Sequence, residues 1–470
     1  MDALLSPKSI ALIGVSADIE KISGRLLPIL QAYRFPGRIY PINPKRTEIC
    51  GLTCYATLLD LPESPDVAVL LTPNTAVPNL LRQAVDKGVP YVLIYSSGFN
   101  EVGGDGERLA QEVQDLVCGT NTRALGPNSE GFYDLGSAVA LSFSPVLDPL
   151  RGRVPLKQGG TVVLSQSGGL GFAIADQLES NGIGIRAIVT TGNELDLEIV
   201  DFLKYYAGEP DVDRIVLFFE GIRDLGAWRS ALSKVQASGK TALAIHIGSS
   251  QVGVEAVRAH TGQTPSSDEV QELLHSLNIA QFADLDDLID FTLRDSRSQG
   301  SCQSRVAIVS TSGGAGIWCA DLAPEYGLRV PRLSIDLVRK LQPVLPGYAS
   351  LLNPIDVTAQ AIFDGSICSA LSSILSLDDF DAVLFVATLG YDHKLINDPQ
   401  FQELLQNSKK PISVFSYTPP SSEAKVLLES LNIPVSTSPR QALRQITRCL
   451  QEYSQTDNAD GDVETVRKQP

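Results

Sequence analysis

Histidine is scarce in this chain, with four in 470 residues. The seven cysteines, at positions 50, 54, 118, 302, 319, 368 and 449, are odd in number and form no paired C-x-x-C arrangement with histidines nearby. That spacing argues against a zinc centre, and it suits a reducing compartment, so a cytoplasmic protein is expected. Basic charge is also in deficit: 38 Lys and Arg stand against 54 Asp and Glu, a formal net charge of -16. A phosphate backbone or an anionic membrane needs a local basic excess, and no basic run supplies one, so neither is an expected partner. No apolar stretch approaches the roughly 18 residues of a membrane span, and no charged-then-apolar leader opens the sequence, so no span or signal peptide is expected. The Gly-x-Gly-x-x-Gly dinucleotide fingerprint is missing too, which leaves a nicotinamide-dependent dehydrogenase a distant reading.

What the chain does contain is ordinary globular material, 43% apolar and 20% charged with 38 glycines, long enough for about three domains. Short β-branched runs recur: SIALIGV (9 to 15), GRIYPIN (37 to 43), DVAVLLT (66 to 72), YVLIYSS (91 to 97) and RALGPNS (123 to 129). Amphipathic stretches such as AVPNLLRQAVDKG lie between them, an alternation that predicts βαβ units on a parallel sheet over residues 1–130. A Pro- and Gly-containing linker is expected over 131–157. Then the pattern restarts and repeats. TVVLSQSGGLGFAIADQLESNGIGI (161 to 185) aligns with RVAIVSTSGGAGIWCADLAPEYGLRV (305 to 330), which predicts two domains of one doubly wound fold at 158–297 and 303–452. The polar remainder, 453–470, reads as a disordered tail.

Several turns carry chemistry. After the first strand, Gly14, Ser16, Ser23 and Gly24 form a small-residue connection into a helix, suited to an anion but equally readable as a plain βα turn. Lys45 follows the second strand, and LTPN (71 to 74) and SSGFNEVG (96 to 103) put Pro73, Asn74 and Ser97 at the same carboxyl edge, where open sheets bind ligands. Agreement among these strand ends favours an extended phosphate-bearing ligand. In SQSGGLG, Ser165 and Ser167 precede a helix opening on Gly168 and Gly169, a second anion site; for the copy at Ser310 to Gly316 plain strand-helix packing is preferred. His260 sits in VRAHTGQTPSSDEV, a loop rather than an apolar strand, whereas His246, His275 and His393 read as core or surface groups. Acid-base work or nucleophilic attack on phosphorus suits a lone loop imidazole, and Glu220, ending an apolar strand in IVLFFEGIRD, can orient it.

These motifs together resemble the α subunit of the NDP-forming acyl-CoA synthetases, a group that includes ADP-forming acetate-CoA ligase and is related to succinyl-CoA synthetase. SPKSIALIGVS, GRIYPINPK and GPNSEG (126 to 131) resemble its CoA-binding domain, and SQSGGLG, TTGNELDLE (190 to 198) and FFEGIRD (218 to 224) its first ligase domain. AHTGQTPSSDEV is similar to the phosphohistidine loop, and STSGGAGI and LLNPIDVT (351 to 358) resemble motifs of the third domain. The resemblance implies an α/β chain, a Rossmann-like CoA-binding domain followed by two flavodoxin-like doubly wound parallel-sheet domains. It implies acyl-CoA formation from a small carboxylic acid, CoA as substrate and a nucleoside triphosphate, through an acyl phosphate and a phosphohistidine. His260 would carry the phosphoryl group, Glu220 would hold its ring, and Ser165, Ser167, Gly168 and Gly169 would bind phosphate. Gly14, Ser16, Lys45, Pro73, Asn74, Ser97, Asn128 and Ser129 would hold CoA.

Three departures accompany the resemblance. Position 129 is Ser where the family has Cys, and Glu130 follows it, a carboxylate placed to repel an anionic substrate. The His260 loop reads QTPSS where the family tends towards Ala-Leu-Ala-Gly-Ser. No ATP-grasp pattern is found, so ATP or GTP with Mg2+ is expected on a partner chain, an ATP-grasp β subunit, in a hetero-oligomer. The first two departures keep open an alternative: a non-catalytic CoA or acyl-CoA-binding regulator on the same fold.

Overall fold

The computed structural model describes the chain except residues 249, 251–252, 254–256, 258–266, 298–303, 346, 348, 391–392, 451–452 and 454–470, and the side chains of 150, 267, 294–297 and 393. Both His260 and nearly all of the expected tail lie outside the described residues. Contacts divide the chain into two units, 1–289 and 290–470.

Unit one opens with the predicted βαβ alternation. Strands β1 (Ser9–Ile13) and β2 (Arg38–Ile42) are followed by a small two-stranded ribbon, β3 (Glu48–Ile49) with β4 (Leu52–Thr53), then β5 (Val67–Leu70), β6 (Tyr91–Ile94) and β7 (Arg123–Leu125). β1 and β5 are buried at every position, as strands covered on both faces must be. The main sheet runs β2-β1-β5-β6-β7, all parallel. Helices Ile22–Ala32, Val77–Lys87 and Asp105–Val117 make the crossovers; the second stops at Gly88, whose φ of 76° gives the left-handed end that glycine tolerates. Strand order reverses between β1 and β5, and such reversals open a crevice at the carboxyl edge.

The segment expected as a linker, 131–157, contributes structure of its own. Gly131–Asp134 (β8) and Val139–Ser142 (β9) form a buried antiparallel pair, and β8 adds to the edge of the second sheet. That sheet also holds β10 (Gln158–Ser165), β11 (Ile185–Thr190), β12 (Arg214–Phe219), β13 (Thr241–His246) and β14 (Ala280–Gln281), in the order β14-β13-β12-β10-β11-β8-β9. Its parallel part repeats the 2-1-3-4-5 order of the first sheet. The two four-residue strands of this hairpin, GFYD and VALS, were hidden by the surrounding prolines and glycines. One apolar core joins the two sheets: Ile10, Leu12 and Val69 belong to the same cluster as Phe132, Val162, Leu164 and Leu217. The hairpin is pinned by charge as well. Asp134 accepts from Arg186 Nη1 at 2.6 Å and from the Tyr206 hydroxyl at 3.0 Å, with the Asp134 and Arg186 side chains 3% and 7% exposed.

Unit two builds on β15 (Ser304–Ser310), with β16 (Leu328–Arg329), β17 (Ser350–Leu351), β18 (Ile355–Asp356), β19 (Ala382–Ala387), β20 (Ile412–Ser416) and β21 (Val435–Ser436). The order is β17-β18-β15-β19-β20-β21, so its parallel run β18-β15-β19-β20-β21 again has the 2-1-3-4-5 order. The internal repeat in the sequence is therefore a repeat of topology. Asn353 explains part of the third-domain motif: its side chain accepts from the Ile308 amide at 2.9 Å and donates to the Val306 and Pro331 carbonyls at 2.9 and 3.0 Å. A buried pair, Arg444 Nη2 to Asp290 Oδ1 at 2.7 Å, ties the last long helical segment to the first helix of this unit.

Removing Asp134 takes from the buried Arg186 one carboxylate partner, leaving Asp211, and strips the Tyr206 hydroxyl of its acceptor. Asp134→Ala should cost roughly 3 kcal/mol, read as a lower urea midpoint with an unchanged denaturant slope.

Candidate functional site

The ligand-side edge of the first sheet is assembled from short turns that hydrogen-bond to one another. Gly14 has φ 86°, and a Cβ there would meet Thr72 Cγ2 at 2.6 Å and the Leu71 carbonyl at 3.0 Å, so only glycine lets the ends of β1 and β5 approach so closely. Ser16 accepts from the Asp18 amide at 3.0 Å and its own amide donates to Ser23 O at 3.0 Å, which folds the turn back towards the helix. Asn43 Nδ2 donates to Val15 O at 2.9 Å while its Oδ1 accepts from the Lys45 amide at 2.9 Å, leaving the Lys45 side chain exposed. Asn74 donates to Gly98 O at 2.6 Å, bringing the turn of Pro73 next to that of Ser97. Asn128, at φ 57°, donates its amide to Ser96 O at 2.9 Å. All eight residues expected at this edge are thus on linked turns. Two more join them that the sequence did not single out: the Thr72 and Ser96 hydroxyl oxygens are buried and without a hydrogen-bond partner. Such orphans at a strand edge fit a polar ligand that completes them.

A cavity of about 320 Å³ lies where this edge meets the second sheet. One wall is Tyr95, Asn128, Ser129, Glu130 and Phe143; the other is Gln166, Ser167, Gly168, Gly169 and Glu220, with Gly192 and Asn193 closing it. The helix Gly168–Ser180 points its N-terminus into this space, and Ser167, its N-cap, makes no side-chain cap bond. Unshielded amides and the positive dipole end make that terminus an anion site. Ser165 is placed differently from the other three expected phosphate ligands. Its hydroxyl is wholly buried and spent inside the turn, donating to Ser167 O at 2.6 Å and accepting from the Ser167 amide at 3.1 Å. It shapes the cradle and does not line it. The second copy shows the same device, Ser310 donating to Ser312 O at 2.6 Å.

Gln166 holds the site's acidic edge in place. Its Oε1 accepts from the Glu220 and Gly221 amides at 2.7 and 3.2 Å, and its Nε2 donates to Gly221 O at 2.9 Å and Glu194 Oε2 at 2.8 Å. Glu194 is 5% exposed and also accepts from Thr191 Oγ1 and the Ile199 amide. Burial pushes its carboxyl up to about 7, against three hydrogen bonds that favour the ionised form. Glu220 therefore stands on a rigid strand end with its side chain at the cavity. His246 is the described histidine beside it, stacked on Phe219 with centroids 5.0 Å apart. Burial lowers its pKa, and a bond with the Glu220 backbone acts the other way.

Ser129 and Glu130 occupy the middle of the cavity wall. The Ser129 hydroxyl is 2% exposed; it donates to Thr190 O at 2.6 Å and accepts from the Gly131 amide at 2.8 Å. Glu130 packs over the helix terminus, where a Cβ on residue 168 would come within 2.9 Å of Glu130 Cγ. Its Oε2 is buried without a partner, and burial raises its pKa against the pull of a Ser144 hydrogen bond. The sequence signalled Glu130 only as a departure from a motif, and it gave no sign of Gln166, Glu194, Tyr95 or Phe143. A polar residue between two serines of a glycine turn, as at Gln166, is the one local hint that was available.

Comparison with known proteins follows the same division. The family described as a CoA binding domain matches residues 8–133, and the succinyl-CoA ligase like flavodoxin domain matches 158–293. The chain is 29% identical to ADP-forming acetate-CoA ligase I of Archaeoglobus fulgidus over 95% of its own length and 63% of that protein's. It is 29% identical to the α subunit of ADP-forming acetate-CoA ligase I of Pyrococcus furiosus, covering 95% of this chain and 96% of that subunit. The solved structure of the dinucleotide forming acetyl-coenzyme A synthetase 1 of Ca. Korarchaeum cryptofilum, in complex with phosphate and ADP, superposes with a TM-score of 0.63 at 27% identity, over 97% of both chains. The chain spans less than two thirds of the length of the first curated relatives it matches. Three sheets of one strand order, a glycine-turn cradle facing the CoA-domain edge, and likeness along nearly the whole chain to an α subunit of ADP-forming acetate-CoA ligase lead to one conclusion: this protein belongs to the NDP-forming acyl-CoA synthetase superfamily.

Proposed function

We propose that this chain is the CoA-binding, phosphohistidine-carrying part of an acid-thiol ligase that makes an acyl-CoA from a small carboxylic acid, with release of NDP and phosphate. One observation carries the reading. The Asn128-Ser129 turn of the CoA-type sheet, the N-terminus of helix Gly168–Ser180 and Glu220 open into a single cavity. Likeness to ligases on this fold favours turnover over a purely regulatory role.

The chemistry divides among these groups. Gly14, Ser16, Lys45, Pro73, Asn74, Ser97, Asn128 and Ser129, with Thr72 and Ser96, would bind and orient CoA as a substrate along the strand ends. The amides of Gly168 and Gly169 and the helix dipole would hold a phosphoryl group, the preorganised donor arrangement that loose phosphoryl-transfer states exploit. In the reading, the His260 imidazole nitrogen attacks the terminal phosphorus of the nucleoside triphosphate and NDP leaves; a carboxylate oxygen of the acid then attacks that phosphorus, the N–P bond breaks and the acyl phosphate forms, while Glu220 orients the ring and stabilises its cationic form. The nucleoside triphosphate would be held by an ATP-grasp partner chain, which supplies ATP or GTP binding and Mg2+; the complex works in the cytoplasm.

Two outcomes are expected. Incubated with labelled inorganic phosphate and a panel of acyl-CoA thioesters, the chain should acquire acid-labile label at His260, located by mass spectrometry. His260→Ala should abolish it and Glu220→Gln should lower it at least about tenfold, in the range of a lost charged orienting partner; no label from any thioester would refute the reading. Separately, Lys45→Ala should weaken CoA binding by roughly 1 kcal/mol, a figure for an exposed ion pair, measured by calorimetry. That difference should shrink as salt is raised.

A further inference from the structure

The cavity brings together a thiol-binding edge and a phosphate-binding helix terminus, and one carboxylate lies between them. Thioester formation from an acyl phosphate requires a thiol proton to leave as sulfur attacks, so a base is needed at this junction. Among the described residues, the titratable side chains lining the cavity are Tyr95, Glu130 and Glu220, and no Lys or Arg lines it. The Tyr95 hydroxyl donates to Leu141 O at 2.8 Å, and burial followed by the charge of Glu130 pushes it well above the ordinary tyrosine value. Glu220 sits at the end of β12 on the far wall, assigned to the imidazole. The Ser129 hydroxyl is engaged, donating a hydrogen bond to Thr190 O at 2.6 Å and accepting one from the Gly131 amide at 2.8 Å. Glu130 remains, with Oε1 3.6 Å from where a Cβ on residue 169 would stand and Oε2 buried without a partner.

We infer that Glu130 is the catalytic base that takes the proton from the CoA thiol and returns it to the departing phosphate. The inference rests on the ligase reading above. As sulfur bonds to the acyl carbon of the acyl phosphate, the thiol proton passes to the Glu130 carboxylate. The carbon-oxygen bond to phosphate then breaks, the phosphate leaves with the electron pair, and Glu130 gives it the proton. Thioester and hydrogen phosphate result, Glu130 ends ionised as it began, and nothing is oxidised or reduced. The residue's place fits both transfers: it follows the Asn128-Ser129 turn in the chain and its side chain covers Gly168 at the phosphate cradle. Burial favours its protonated form, and Ser144 hydrogen bonding opposes that, so the carboxyl is a stronger base than an exposed glutamate.

The test separates the two half-reactions on the full chain, using a panel of acyl phosphates from acetyl to phenylacetyl. Label from the phosphoryl group reports transfer to His260, and added CoA reports thioester formation. Glu130→Gln should keep the label within about twofold and lose thioester formation about 100-fold or more, the usual weight of a general base. Glu130→Asp should restore part of that loss. In the wild type the thioester rate should rise with pH as Glu130 ionises, a limb that Glu130→Gln should lack. Thioester formation within about threefold of wild type in Glu130→Gln would overturn the inference, and so would equal loss of label and thioester, which marks a structural role. A wild-type chain that neither takes label nor forms thioester with any acyl phosphate would overturn the ligase reading together with this one.

Discussion

The site depends on a seam of backbone hydrogen bonds between two strand ends that are far apart in sequence. Residues 192–197 run beside 124–127: the Asn193 amide donates to Pro127 O at 2.9 Å, Leu195 to Gly126 O at 3.1 Å and Leu197 to Ala124 O at 3.0 Å. Asp196 locks the seam by accepting from Arg123 Nε at 2.8 Å and the Ala124 amide at 2.7 Å. Gly192 is required where the two chains touch, since a Cβ there would come within 2.2 Å of Pro127 O. Loosen this seam and the Ser129 turn no longer faces the glycine helix, so no common cavity exists.

Rigidity then propagates outward through hydrogen-bonded polar groups, buried at Gln166 and Glu194 and more open to solvent at Arg223, Asn193 and Glu101. Arg223 donates to the carbonyls of Asn193 and Glu194, and Glu101 accepts from Asn193 Nδ2 at 2.6 Å, so the first sheet's loop, the seam and the end of β12 are one network. Gln166 adds the glycine turn to it. Buried polar networks of this kind are costly when incomplete and specify a single arrangement when complete. Three of the buried polar groups left incomplete among the described residues, the Thr72 and Ser96 hydroxyls and Glu130 Oε2, are at the ligand edge and in the cavity, where a bound ligand would complete them.

The three sheets share one strand order, yet they serve differently. In the first, the carboxyl edge forms an open shelf of turns. In the second, the same edge carries a helix N-terminus and an acid. In unit two, the Ser310 turn keeps the same internal hydrogen bonds, with Asp356 Oδ2 2.8 Å from where a Cβ on Gly313 would stand. Strand order constrains where a ligand is received, and the side chains at the edge determine what is received.

Much of this was legible along the chain because parallel strands buried on both faces must be apolar throughout, and βα turns against anions must be small. Those local demands mark SIALIGV, DVAVLLT and SQSGGLG whatever surrounds them, and they made the α/β organisation around parallel sheets and the turns of Ser16, Asn74, Asn128 and Gly168 readable. The hairpin of Gly131–Asp134 and Val139–Ser142 was not readable, because its stability comes from pairing with Ile185–Thr190 and from Arg186, more than 40 residues on. Nor were Gln166, Glu194 and the role of Ser165, which follow from what lies across the seam. Periodicity and turn chemistry are properties of neighbours in sequence, so the sequence determined the elements and their order. Which hydroxyl is consumed in a turn, which carboxyl is desolvated and which strand end faces which are properties of neighbours in space, and only the tertiary structure decided them.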